Sequence, residues 1–464
     1  MILLRLVREA GNVLASLRLT VALLGMSIFL VLAGTLAQVE SGIWTVVHQY
    51  FRCWFAWIDL KVFQARGSGW TLGFPFPGGF LIGTLLVINL LVSHARRIRV
   101  TARGPRLYMG LAVLAVGSLL TWISIAHVFD LDSTEKTANP TLRVTFQLVQ
   151  GVGVAAVLFF GCHMVFGRKA GIVLLHGGVV LMMASEIITA FSAVETRMSI
   201  AEGESSNWAQ DTRTSELAIV DPSDPKVDRV VAVPAARLRK GGAIALPDVP
   251  FDLEVGPKGY MVNADVREFR GGEGNPATAG LGMSRIAKAL GEETGERIDL
   301  PALYATLKEK GTGRTLGTYL FSVLFSFDGG GAQRVEAGGK SYDLSLRFHR
   351  IYKPYEVYLK DFKFERYPGT ETPKDFSSYV RLTDAERGVD RDVRIWMNNP
   401  LRYRGDTLYQ ADWDKATEAG TVLQVVTNVG WMVPYVGCMI VAVGLLGQFW
   451  LHLWGFLIRR RDAA

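Results

Sequence analysis

Six long apolar runs constrain this chain more than anything else in it. A helix needs about 20 apolar residues to cross the hydrocarbon core of a bilayer. Runs of that kind lie at 18–39, 78–95, 107–129, 144–166, 170–192 and 431–457. The 464 residues are 49% hydrophobic and 20% charged, with a mean hydropathy of +0.23. The charges are uneven: residues 193–430 read like a soluble protein. The fold expected is a polytopic α-helical membrane protein of about six transmembrane helices with a large β-rich extracytoplasmic domain. Residues 1–192 would form the membrane domain, 193–430 the outer domain, and 431–464 the last span and a basic tail.

Arginines orient the spans. Arg5, Arg8 and Arg18 precede the first; Arg96, Arg97, Arg99, Arg103 and Arg106 follow the second. Arg168 and Lys169 fill the turn after the fourth, and Arg459, Arg460 and Arg461 follow the sixth. The positive-inside rule then puts both termini in the cytoplasm and 193–430 outside, in a cell inner (cytoplasmic) membrane. A formal charge of +7 could suggest nucleic acid. The basic clusters flank apolar runs, however, and are read as topology signals instead. The first run is too long for a cleavable signal peptide and lacks a convincing cleavage pattern. Cys53, Cys162 and Cys438 are far apart and form no CxxC, which excludes a thioredoxin-like motif and a CxxCH haem-attachment site.

Within the outer segments, "WTVVHQYFRCWFAWIDLKVF" (44–63) reads as a helix lying in the membrane interface, part of an outer loop over 40–77. Short alternating stretches such as "YDLSLRFHRIY" and "DTLYQADW" predict antiparallel strands. A helical insertion is expected over about 281–310, with flexible Gly-rich loops at 271–282 and 329–339.

Polar groups inside the runs are expensive and call for a reason. His94, His127, His163 and His452 lie near span ends and His48 in the outer loop, where water satisfies an imidazole without a ligand. His176 lies about six residues into its span, roughly 9 Å deep. It is followed by Gly177 and Gly178, small enough for a flat macrocycle or another helix to approach. Ligation of haem iron and a hydrogen bond to a neighbouring helix both fit it. Glu186, about 15 Å further along, is an intramembrane carboxylate with a possible proton-handling role and no partner evident in the sequence. Asn89 is expected to fix helix contacts.

Several segments together resemble the ResB family of cytochrome c biogenesis proteins (System II). They include "LASLRLTVALLGMSIFLVLAGTLAQ", "FPFPGGFLIGTLLVINLLVSHARR", "GIVLLHGGVVLMMASE" and "ETRMSIAEGES". The most specific are "VYLKDFKFERYPGTETPKDFSSYVRL", "VRIWMNNPLRYRGDTLYQADW" and "VVTNVGWMVPYVGCMIVAVGLLGQFW". Two departures stand out: the family pattern has four spans, so 107–166 adds two, and 230–340 matches nothing placed. The resemblance implies a non-catalytic or co-catalytic subunit of a cytochrome c synthase. It would work with a CcsA/ResC-type membrane protein to carry haem b across the membrane and present it to apocytochrome c, with a thioredoxin-like reductant keeping thiols reduced. It also implies that His176 is a haem axial ligand, the second ligand coming from the partner because no other histidine in this chain lies as deep. No residue is assigned a catalytic role. Pro400, Arg402, Tyr403, Gly405, Tyr409 and Gln410 are read as a turn and strand needed for folding. The competing readings are a transporter using His176 and Glu186 as a proton relay, which would ordinarily show half-repeats absent here, and a haem-independent receptor, for which the cytoplasmic segments are too short.

Overall fold

The computed structural model describes residues 9–41, 43–64, 72–126, 140–224, 227–271, 274–291, 298–327, 331–370, 373–414 and 419–462. Five helical segments among them are long and apolar enough to cross a membrane. One of these, Thr145–Ser192, is 48 residues long. It is broken at Gly167–Lys169, where Gly167 takes φ 57° and a short 3-10 turn reverses the chain. The long helices are therefore α1 (Leu17–Ser41), α2 (Gly79–Arg97), α3 (Pro105–Ile125), α4 (Pro140–Phe166), α5 (Ala170–Ser192) and α6 (Val433–Asp462). His127 lies outside the described residues.

Glycines set how these helices pack. A Cβ on Gly171 would fall 2.4 Å from the Gly444 carbonyl, and one on Gly178 would fall 3.0 Å from the Gly437 carbonyl. The α5 and α6 backbones thus touch at two levels, seven residues apart on each helix and running antiparallel. Lipid tails are as apolar as leucine, so close van der Waals packing replaces the hydrophobic drive. Gln448 of α6 adds polar glue: its carbonyl accepts from Ile172 N at 3.2 Å and its amide donates to Arg168 O at 3.1 Å. The added pair α3 and α4 pack antiparallel through Gly110 against Val165 and Gly117 against Leu158. Gln150 donates to Ser124 Oγ at 3.0 Å across them. Asn89 does fix helix contacts: it accepts from Thr20 at 2.7 Å and donates to Leu14 O and Ser16 O, tying α2 to the start of α1.

The segment 44–63 departs from the expected interfacial helix. The helical pieces are short, Ile43–Val46, a π turn at Val47–Phe51 and a 3-10 turn at Leu60–Phe63, and between them Phe55–Asp59 pairs antiparallel with Gly73–Pro77. β-Branched and aromatic residues favour the hairpin, and it still leaves Trp54, Phe55 and Trp57 more than half exposed.

Helices α5 and α6 run on into a β domain as neighbouring strands. Val194–Ala201 pairs with Gly420–Thr427 from Val194↔Thr427 to Ala201↔Gly420. They belong to a ten-stranded antiparallel sheet built around Ser205–Asp221 and the 27-residue strand Lys340–Arg366. The sheet curls until Ser378 on one side meets Gln410 and Thr421 on the other. One core, including Met198, Val357, Leu382, Leu408 and Leu423, fills the curl. A second core lies between the other end of the sheet and a five-stranded sheet that includes Phe251–Val255, Ala302–Glu309 and Thr315–Ser322.

The helix expected at 281–310 is not formed. Arg285–Ala289 and Ala302–Glu309 are strands, with 292–297 outside the described residues. Leu303, Ala305 and Leu307 alternate into the core, and the flanking strands supply the hydrogen-bonding partners that override the helix propensity of this Ala/Leu/Lys stretch. The Gly-rich stretch 329–339 likewise contains a strand, Gln333–Ala337. It turns back through Gly338 and Gly339, both at positive φ (57° and 75°), as a two-residue hairpin of this hand requires.

Buried polar groups organise the stretch 400–410. Asp406 is 5% exposed and accepts from Lys353 Nζ (3.0 Å), Tyr355 OH (2.7 Å) and Thr427 Oγ1 (2.5 Å). Tyr403 donates to buried Asp384 at 2.6 Å, and Arg404 Nε pairs with the same carboxylate at 3.0 Å. Burial and then the Asp384 bond push the Tyr403 hydroxyl up to about 12 from 10. Arg402 sits 3.8 Å from the ring centroid of Trp431, joining the domain to the entry of α6. The structural reading of Arg402 and Tyr403 therefore has a physical basis in these contacts.

Three outcomes are expected. Gly178→Leu should destabilise the detergent-solubilised chain by about 1–3 kcal/mol, read in its melting curve, because the new side chain overpacks the α5–α6 contact. Asp406→Ala strands the buried Lys353 ammonium and should cost about 3–5 kcal/mol in the same assay. A raised folded-state pKa stabilises below the unfolded value, so the Tyr403 contribution is full below pH 10 and is lost as pH rises toward about 12. Tyr403→Phe should flatten that alkaline slope in tryptophan fluorescence.

Candidate functional site

The antiparallel contact of α2 with α5 brings two imidazoles together. Phe80 stacks on Phe191 at the β-domain end, with ring centroids 6.0 Å apart. Gly83 approaches Met183 further along, with 3.9 Å from its would-be Cβ to the sulfur-linked methyl. At the arginine-rich end His94 Nε2 lies 3.0 Å from His176 Nδ1, the rings meeting edge to face at 4.5 Å. His94 is three residues before Arg97, and His176 is seven after Lys169. Lys169 Nζ donates to Arg97 O at 3.1 Å, closing the same end of the helix pair.

This corrects one expectation: His176 is not alone at its depth. Both histidines lie at the basic end of antiparallel helices. The topology signal from the arginines, applied to both spans together, carries that information; taken one span at a time, His94 looks like an interfacial residue.

The tautomers follow from the hydrogen-bond network. With both rings neutral, His94 Nδ1–H donates to Leu90 O at 2.9 Å, leaving Nε2 as an acceptor. His176 Nδ1–H then points at that Nε2 and at Ile172 O, 2.9 Å away. One ring nitrogen, His176 Nε2, keeps a lone pair with no hydrogen-bond partner among the described residues. A histidine whose other nitrogen is held by a hydrogen bond is an oriented ligand for a metal.

The glycines beside it divide the labour. Gly178 faces α6 and is buried, whereas a Cβ on Gly177 would meet nothing within 4 Å. The residue that follows His176 in the chain thus faces open space. Arg96, Arg97, Arg168 and Lys169 put positive charge about one to two turns away, where acidic groups of an amphipathic ligand would end. No group of three or more His, Cys, Asp or Glu side chains among the described residues could hold a bare metal ion.

Glu186 gains a partner that the sequence did not name. Arg52, on the loop after α1, approaches it at 3.5 Å, and the Glu186 side chain is 68% exposed. The other histidines stay apart from the pair: His48 and His452 are exposed, and His163 bonds Gly167 O at 3.3 Å.

Taken together, the fold and site define a helical membrane protein with a β-rich domain and a pair of imidazoles held between two of its helices. Residues 316–420 match the family model described as the ResB-like family. Protein NrfI of Wolinella succinogenes is 36% identical over 104 residues, 22% of this chain and 11% of that protein. Cytochrome c biogenesis protein CcsB of Synechococcus sp. (strain RCC307) is 35% identical over 95 residues, 20% of this chain and 21% of its own length. Cytochrome c biogenesis protein Ccs1 of Pyropia yezoensis is 31% identical over 98 residues, 20% and 22% respectively. The chain thus spans between about a tenth and a quarter of the length of these relatives.

Because the Arg52–Glu186 pair is long and mostly exposed, Glu186→Gln should change stability by no more than about 1 kcal/mol. A proton-relay role predicts instead that this substitution abolishes function while leaving the melting curve in place.

Proposed function

We propose that this protein takes part in cytochrome c biogenesis by holding haem between α2 and α5, with His176 Nε2 as an axial ligand of the iron. The observation that carries the reading is the His94–His176 pair, which orients an imidazole whose Nε2 has no hydrogen-bond partner among the described residues, next in the chain to the open side of Gly177. The relatives named for cytochrome c biogenesis support a part in that process. Haem has an apolar plane, an iron that favours imidazole, and two propionates. The exposed side of Gly177, the His176 lone pair and the basic end of the helix pair match those three needs in order.

The residues divide the work as follows. His94 shares the Nδ1–H of His176 and so fixes the ring that faces the iron. An imidazole ligand would tune the reduction potential of the iron. The arginines orient the chain with both termini in the cytoplasm of an inner-membrane protein, so the site is reached from the side where haem is made. The β domain then lies outside, where it would dock apocytochrome c or the outer loops of a CcsA/ResC-type subunit. The cofactor handled is haem b, and the chain acts as a co-catalytic subunit. A thioredoxin-like reductant would act on the apocytochrome thiols.

The test is the visible spectrum of the purified chain, co-expressed with a CcsA/ResC-type protein. His176→Ala should lose or shift the six-coordinate Soret band, and His94→Ala should shift it less. Gly177→Leu, which meets open space and should leave the fold intact, should lower haem content by filling the groove. A spectrum insensitive to all three overturns the proposal. Loss in His94→Ala with a normal His176→Ala spectrum overturns the assignment of the ligand and gives it to His94.

A further inference from the structure

A pair of opposite charges sits toward the β-domain end of the α2–α5 contact, away from the arginine-rich end. Arg52 approaches Glu186 at 3.5 Å, and the Glu186 side chain is 68% exposed. At 1.5 Å per residue, Glu186 lies about 9 Å short of the end of α5 at Ser192. It therefore stands inside a segment apolar enough to cross a bilayer. An exposed carboxylate there is costly unless its charge is met. Arg52 has unused capacity of its own: its Nε is buried and has no hydrogen-bond partner among the described residues.

The turn that carries Arg52 is locked in place. Arg52 N donates to Val47 O at 2.8 Å, Gly78 N to Trp54 O at 2.9 Å and Phe80 N to Cys53 O at 3.2 Å. A Cβ on Gly79 would collide with the Phe51 carbonyl, and one on Gly78 with that of Cys53. The start of α2 fits against this turn only because both positions are glycine. Arg52 is thereby held at the start of α2 and reaches across to α5. Three aromatic rings accompany the pair. Trp54 lies 6.3 Å from Phe80, and Phe80 lies 6.0 Å from Phe191. Trp54 is 55% exposed and Phe191 is 80% exposed. Tryptophan favours the level of the bilayer where headgroups begin.

We propose that this corner binds the headgroup of an aminophospholipid in the leaflet on the β-domain side, its phosphate on Arg52 and its ammonium on Glu186. A guanidinium with an unused N–H suits a phosphate oxygen. A primary ammonium brings three donors to an exposed carboxylate, which can only accept. An ethanolamine headgroup carries both charges on a short ethylene link, matching the adjacent cation and anion of the protein. A choline headgroup offers the same phosphate but no N–H for Glu186. A glycerol headgroup brings no cation at all, and its phosphate is repelled by the carboxylate. The exposed rings of Trp54 and Phe191 favour a lipid over a water-soluble ligand, because acyl chains can lie against them.

The test uses the full-length chain in detergent and native mass spectrometry with phosphatidylethanolamine, phosphatidylcholine and phosphatidylglycerol of identical acyl chains. The ethanolamine lipid should be retained about ten-fold or more over the other two, the factor that one charge-assisted hydrogen bond supplies. Glu186→Gln should bring it down to the level of the choline lipid, and Arg52→Gln should weaken binding of both. Because Glu186 is exposed, its variant keeps the test independent of folding. As a second readout, the ethanolamine lipid should raise the melting temperature of the wild-type chain more than that of Glu186→Gln. Equal retention of the three lipids overturns the proposal, and so does an ethanolamine preference that Glu186→Gln leaves intact. Protection of Glu186 from carbodiimide labelling by a co-expressed membrane protein, but not by the lipid, also overturns it and gives the corner to a protein partner.

Discussion

Two helices that meet backbone to backbone hold this molecule together. Glycines at 171 and 178 on α5 and at 437 and 444 on α6 remove the side chains that would separate them. The same two segments leave the bundle side by side and continue as paired strands, starting at Val194↔Thr427. A single antiparallel ladder, helical at one end and extended at the other, therefore runs from the arginine-rich end of the bundle into the β domain. Arg402 on Trp431 and Asn428 against Thr189 secure the junction. With one face of α5 fixed against α6, its other face is presented to α2. His176 lies on that face because it is two residues before Gly178, about 200° away around the helix.

The site follows from this arrangement. The α1–α2 hairpin, braced by Asn89, offers His94 to a helix whose position is already set. Each imidazole satisfies part of the other's hydrogen-bonding demand in a medium without water, which offsets the cost of placing two polar rings among apolar side chains. One lone pair is left over. In a bilayer such a group is costly unless it meets a partner, and the open side of Gly177 leaves room for one.

Much of this was legible in the sequence, for reasons that can be named. The spans at 18–39, 78–95 and 170–192 fall close to α1, α2 and α5 because apolar length is a direct requirement of the bilayer. The alternation in "YDLSLRFHRIY" was readable because Tyr342, Leu344, Leu346 and Phe348 share one buried face of that strand. The segment 281–310 was misread because its Ala, Leu and Lys content favours a helix locally, while the strands that override this preference lie tens of residues away in the chain. The segment 44–63 was misread because aromatic residues suit both an interfacial helix and a hairpin.

The site was only half visible. His176 could be singled out by depth, but its pairing with His94 joins residues 82 apart and depends on how α2 crosses α5. The buried ladder of Lys353, Tyr355, Asp406, Tyr403 and Asp384 likewise brings together side chains from four strands, and no short motif spells out such a set.

The central claim is that the α2–α5 groove receives an iron porphyrin through one imidazole. The most direct measurement is a cryo-EM structure of the haem-loaded chain co-expressed with a CcsA/ResC-type protein. The account predicts iron density bonded to His176 Nε2, with the porphyrin lying over Gly177 and its propionates directed toward Arg97 and Lys169. Haem density elsewhere in the assembly, with the His94–His176 hydrogen bond unchanged and acyl chains against Gly177, would contradict it.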